Sequence, residues 1–175
     1  PDFLIDYIIN NHHSYIRRML PTLYLHTQKI AAVHGEHHPE LVQVASVFAK
    51  VGEDLEAHLH TEEQVLFPSI RALAVATRLG EQLPVPPFGT VGNPIAMMEL
   101  EHRAAGDEME QIRGLTDGYT VPDDACTTYR VAFQELHDFE HDLHQHVHLE
   151  NNILFPNALR LEKALSCDRQ SLSPA

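Results

Sequence analysis

Apolar residues recur along the chain at helical spacing, and no stretch alternates as a half-buried strand would. From about Asp2 to Val33, Ile5, Ile9, Ile16, Leu20, Leu23 and Ile30 form one stripe. Pro21 falls inside that stretch, where it removes a backbone hydrogen bond and crowds the preceding turn, so a kink is expected. A second helix opens at Pro39, a favourable first-turn residue. It carries Leu41, Ala45, Phe48, Leu55 and Leu59 to about Phe67, where Pro68 is expected to disturb it. Residues 79–93, rich in proline and glycine, read as a long connection. A third helix spans Pro94 to about Thr116, with Met98, Ala105, Met109 and Ile112 on its stripe. The turn DGYTVPDD leads to a fourth, from about Ala125 to Phe155, where Pro156 intervenes. Long helices, short turns within each pair and a long link between pairs predict an all-α, up-down-up-down four-helix bundle. Residues 1–165 are expected to form it, with 166–175 as a flexible C-terminal tail.

The second and fourth helices repeat one another. Residues 57–68 read AHLHTEEQVLFP and residues 145–156 read QHVHLENNILFP, an offset of 88. His58 thereby matches His146, and Glu62 matches Glu150. His13 and His102, 89 apart, are a fainter echo in the other two helices. The second hairpin reads as a copy of the first, so a central site would draw on both halves.

Helix phase sorts the histidines. At about 100° per residue, Glu62 and Glu150 fall within their apolar stripes, with His58 and His146 at the edges. His137, His141, His144 and His148 point the other way and read as a solvent stripe, and His60 also faces out. In the first helix His12 and His13 flank the stripe, and phase alone does not choose between them. The third helix does, because His102 takes the same side as His13, while Glu101 corresponds to His12. His12 and Glu101 are therefore expected to lean toward the site without being ligands. Height agrees: 45 residues separate His13 from His58 around a turn near residue 36, and 44 separate His102 from His146 around a turn near 120. His13, His58, Glu62, His102, His146 and Glu150 should converge at one level.

Two carboxylates buried without compensation would cost several kcal/mol each, so a cation is expected among them. Four imidazoles and two carboxylates suit two first-row metal ions, each glutamate bridging both. A single zinc would leave two or three of the six idle, and calcium or magnesium would want oxygen alone. Iron is the first choice and manganese the second. The expected cofactor is two iron ions per chain, oxo- or hydroxo-bridged and bridged by Glu62 and Glu150, with a position open on each for O₂ or nitric oxide.

Composition narrows the partners. The 175 residues include 25 Asp and Glu against 12 Lys and Arg, a formal charge of −13, and 14 histidines. That balance argues against nucleic acid and against an anionic membrane surface. No apolar run approaches the roughly 20 residues of a membrane span. Cys126 and Cys167 form no CxxC pair and lie outside the expected site, which points to a reducing, cytoplasmic compartment. The chain opens at Pro1 with no signal peptide, and a proline start suggests that something precedes it.

The segments HLHTEEQVLFP, MMELEHRAAG, ACTTY and HVHLENNILFP resemble the hemerythrin-like superfamily, and more narrowly its RIC proteins, from about Phe3 to Leu161. Oxygen-carrying hemerythrins place a histidine where this chain has Gly106 and an aspartate where it has Asn151; here Glu150 takes that part, as in RIC proteins. The resemblance implies a di-iron centre on the same six residues. It also implies a role in repairing iron–sulfur clusters damaged by nitrosative or oxidative stress, by donating iron or processing nitric oxide. Damaged or apo iron–sulfur proteins would be the partners of a metal-centre repair protein more than a conventional enzyme. Reversible binding or sensing of O₂ or nitric oxide is the alternative. A further histidine of the family falls on His34, but it lies 21 residues from His13, about 31 Å along a helix, and is left out of the ligand set. The N-terminal cysteine-pair domain common in that family is missing from this sequence.

Overall fold

A computed structural model describes the backbone of residues 1–81 and 86–171 and the side chains to Ser166 within those bounds. Four helical rods make the bundle, and three of them change pitch on the way. The first joins α1 (Asp2–Tyr7), π1 (Ile8–His13) and α2 (Ser14–His34). The second joins α3 (Glu40–Thr61), π2 (Glu62–Leu66) and α4 (Phe67–Leu79). The third is α5 (Gly92–Leu115). The fourth joins α6 (Thr127–Leu149), π3 (Glu150–Leu154) and α7 (Phe155–Ser171). No strand occurs among the described residues. The first rod packs on the second and fourth, and the third packs on the same two, as an up-down-up-down bundle requires.

The helices differ from expectation at the prolines. Neither Pro68 nor Pro156 stops its rod: α4 runs on to Leu79 and α7 to Ser171. The π segments explain why. Each proline sits at the second residue of a helix that restarts after a π turn, where a missing N–H costs no intrahelical bond. Pro21 lies inside α2, which spans Ser14 to His34. The last helix thus passes Leu165, residues 172–175 of the expected tail lie outside the described residues, and so does the Cys167 side chain.

Two apolar layers divide the interior. One holds Ile16, Leu20, Phe48, Leu59, Met109, Phe139 and Leu143, and it fills the end of the bundle with the short turns. The other holds Ile5, Ile8, Leu66, Phe67, Met98, Leu154 and Phe155. On every rod the layers are separated by the residues singled out for their chemistry: His12 and His13, His58 and Glu62, His102, then His146 and Glu150. A polar slab is thus sealed between two hydrophobic ones, which is where a low dielectric acts most strongly on charge. At the second short turn Asp117, Gly118 and Tyr119 take φ of 48°, 67° and 64°, and the Tyr119 hydroxyl donates to buried Glu140 at 2.9 Å.

Candidate metal centre

The structure brings all six expected side chains together, and all six are buried. They form two overlapping groups. His13, Glu62, His146 and Glu150 make one, and His58, Glu62, His102 and Glu150 make the other. Within each group one ligand atom per residue lies within 4.8 Å of the rest, and both groups share both glutamates. The histidines therefore pair across the two hairpins and not within one: His13 with His146, and His58 with His102. His34 lies elsewhere, against His38 and Tyr129 at the far end of the first rod.

Backbone pitch helps to aim these residues. Glu62 and Glu150 each open a π segment, and His13 closes one. A π turn widens the helix locally and shifts the phase of the residues beyond it, and such turns collect at functional sites. Below the turns, rings brace the site symmetrically. His13 stacks on Phe67 with centroids 5.6 Å apart, and His102 on Phe155 at 6.0 Å.

The outward-facing nitrogens reveal what the inward ones are for. His13 donates Nδ1–H to Glu63 Oε1 at 2.7 Å, His58 to Glu101 Oε2 at 2.6 Å, and His102 to Asn151 Oδ1 at 3.0 Å. These acceptors oblige Nδ1 to carry the proton, leaving the Nε2 lone pair directed inward. There Nε2 of His13 and of His58 stand 3.4 Å from the two oxygens of Glu62. Nε2 of His102 and of His146 stand 3.1 and 3.2 Å from those of Glu150. Both oxygens of both glutamates are buried without a hydrogen-bond donor. Lone pairs converge on lone pairs, and only a cation reconciles them. The residues present fit one or two metal ions that accept mixed nitrogen and oxygen ligands.

Electrostatics agree. Burial alone would lower the His58 pKa, but the carboxylate of Glu62 beside it, with Glu101 behind, raises it to about 9. His146 is also raised, Glu150 overcoming the burial that opposes it. Burial acts to raise Glu150, yet His146 and His102 hold its carboxyl far below the ordinary range. Each group is tuned for an opposite charge close by.

Glu101 lies where it was expected, beside the site, as does His12. His12 gives its Nδ1 to Asp142 at 3.0 Å and lies parallel to the His146 ring, centroids 5.8 Å apart. The halves differ here: His146 Nδ1, the counterpart of the His58 nitrogen that meets Glu101, is buried with no partner. Glu63 and Asn151, the acceptors behind His13 and His102, escaped sequence reasoning. Their signal was present in the repeat, since each comes directly after its glutamate and the two stand 88 apart. Although partial burial works against it, Arg17 and His13 keep the Glu63 carboxyl below its usual range. His60, His137, His141, His144 and His148 are exposed, as their phase indicated. A cavity of about 270 Å³ between α3 and α5 reaches His58, His102 and His146 from solvent past Ala57, Thr61, Glu101 and Ala104.

Residues 4–158 match the hemerythrin HHE cation-binding domain. Among curated proteins, the chain is 38% identical over 159 residues to the iron-sulfur cluster repair protein YtfE of Yersinia pseudotuberculosis serotype IB (strain PB1/+). It is equally similar to the protein of that name from Yersinia pestis (strain Pestoides F). The alignments cover 91% of this chain and 66% of each relative, so the chain spans just under two-thirds of the relatives' length.

Proposed function

Because the chain belongs to the hemerythrin HHE cation-binding domain family, we propose that it is a cytoplasmic di-iron protein acting in the repair of iron–sulfur clusters damaged by nitrosative or oxidative stress. The observation that carries this reading is the pair of four-residue groups sharing Glu62 and Glu150. Similarity over 159 residues to relatives named for iron–sulfur cluster repair supplies the biological direction. Among the described residues no helix is long and apolar enough to cross a membrane.

In this reading His13 and His146 would hold one iron and His58 and His102 the other, with Glu62 and Glu150 available to both. Bound iron would supply redox chemistry and open positions for a small ligand such as nitric oxide or O₂. The protein's own residues do the rest. Glu63, Glu101 and Asn151 hold three imidazoles in the tautomer that binds metal, and the two apolar layers keep water from the carboxylates. Repair would proceed by giving iron to a damaged or apo iron–sulfur protein, or by processing nitric oxide.

The cavity between α3 and α5 supports a second reading, reversible binding or sensing of O₂ or nitric oxide. The test is metal analysis with absorption spectra before and after reduction, and then addition of the protein to a nitric-oxide-damaged iron–sulfur enzyme. Two irons per chain and recovery of the enzyme are expected. A stable gas adduct without recovery favours the second reading, and a protein that takes up no iron refutes both.

A further inference from the structure

The buried groups use four of the 14 histidines, and another set gathers on the surface beside them. His141, His144 and His148 are all exposed on one face of α6, within regular helix that continues to Leu149. Residues three and four apart on a helix are neighbours, their side chains starting about 5–6 Å from one another. His144 is thus placed to share a ligand with His141 on one side and His148 on the other. Phe3 and Tyr7 of the first rod face them across a groove of about 510 Å³, which His12 also lines. His12 is only 4% exposed and lies parallel to the His146 ring, 9° between planes. The groove is therefore one ring away from a residue of the buried centre. Beside it, Asp142 meets His12 through Oδ1 and keeps Oδ2 buried without a partner.

We propose that this groove is a docking site for a divalent transition-metal ion, held by His144 and His148, from which iron passes to the buried centre. The inference rests on the reading that the centre holds iron. An imidazole set favours iron, zinc, nickel or copper over calcium and magnesium, which prefer oxygen. Two imidazoles one helical turn apart chelate without any change of fold. The amide of Asn152 donates to His148 Nδ1 at 2.9 Å, and that of Gln145 to His141 Nε2 at 2.8 Å. These bonds brace the rings and leave the other nitrogen of each to solvent; a side-chain amide turned over offers its oxygen instead, so either tautomer is supported. Exposed ligands bind weakly and exchange quickly, as docking requires, whereas two buried four-residue groups hold their ions more firmly. The chain's charge of −13 raises the local concentration of cations. His137, earlier on α6, lies outside the groove, against Tyr119 and Asp138.

Zinc titrated by calorimetry into iron-loaded protein tests the site. One further zinc per chain is expected, bound about tenfold or more weakly in His144→Ala/His148→Ala and unchanged in His137→Ala. No saturable further binding, or equal binding in the double variant, overturns the site. The rate at which ferrous iron fills the metal-free protein tests the docking role: the double variant should fill severalfold more slowly yet reach the same final iron content. Equal rates overturn that role. If the wild-type protein takes up no iron while zinc still binds the groove, the reading of the centre fails on its own.

Discussion

His58 donates its Nδ1–H to Glu101 across 2.6 Å, while in the other half of the bundle His12, at the position corresponding to Glu101, lies flat against His146 and accepts nothing from it. The two similar halves of the site differ at this point. The Nδ1 of one ring meets a charged acceptor, and the Nδ1 of its counterpart meets none.

Glu101→Ala is expected to lower metal affinity about 10- to 100-fold, because the His58 ring loses the group that sets its tautomer and orientation. Glu63→Ala should do the same through His13. Competition with a chromophoric chelator measures both, and wild-type affinity in the two variants would show that these acceptors do not tune the ligands.

Removing a shared carboxylate should be more severe. Glu62→Ala or Glu150→Ala takes an anion from both four-residue groups at once and is expected to abolish metal binding at either position. His60→Ala, an exposed change one turn from the centre, should leave metal content as it was. Full metal occupancy in both glutamate variants would sink the ligand assignment.

Without metal, the protein should lose stability as pH rises. The His58 pKa is raised in the folded protein to about 9 from an ordinary 6.5. A raised histidine contributes stability that is complete below the unfolded value and is lost as pH climbs through the folded one. The thermal midpoint of chelator-stripped protein should therefore fall between about pH 6.5 and pH 9, more steeply than that of the metal-loaded protein, where a cation takes the proton's place. Parallel profiles would contradict the proton–metal exchange.

Tyr119→Phe should destabilise the fold by about 1–3 kcal/mol, since it strips buried Glu140 of its 2.9 Å hydroxyl donor. Arg113 stands farther off, with Nε at 3.7 Å. Chemical denaturation reads the loss, and metal content should not change. An unaltered midpoint would mean that the turn does not depend on this bond.

Much of the architecture was legible from period alone. Ile16, Leu20 and Leu23 on the first rod, and Ala132, Leu136, Phe139 and Leu143 on the fourth, recur every three or four residues, and all line the core. Periodicity misjudged the rods at Pro68 and Pro156, because a local rule treats proline as a break. It does not register a π turn just upstream that converts the same residue into a first-turn position.

The sequence by itself determined four helices, a twofold repeat and six inward residues at one height, since each comes from helical geometry and a count of residues. Only the tertiary structure decided the pairing of His13 with His146 and of His58 with His102, the acceptors Glu63, Glu101 and Asn151 behind three rings, and the unmatched Nδ1 of His146. Phase says which way a side chain leaves its own helix. The partner it meets depends on how neighbouring helices pack and where their pitch widens, and those are properties of the assembled bundle.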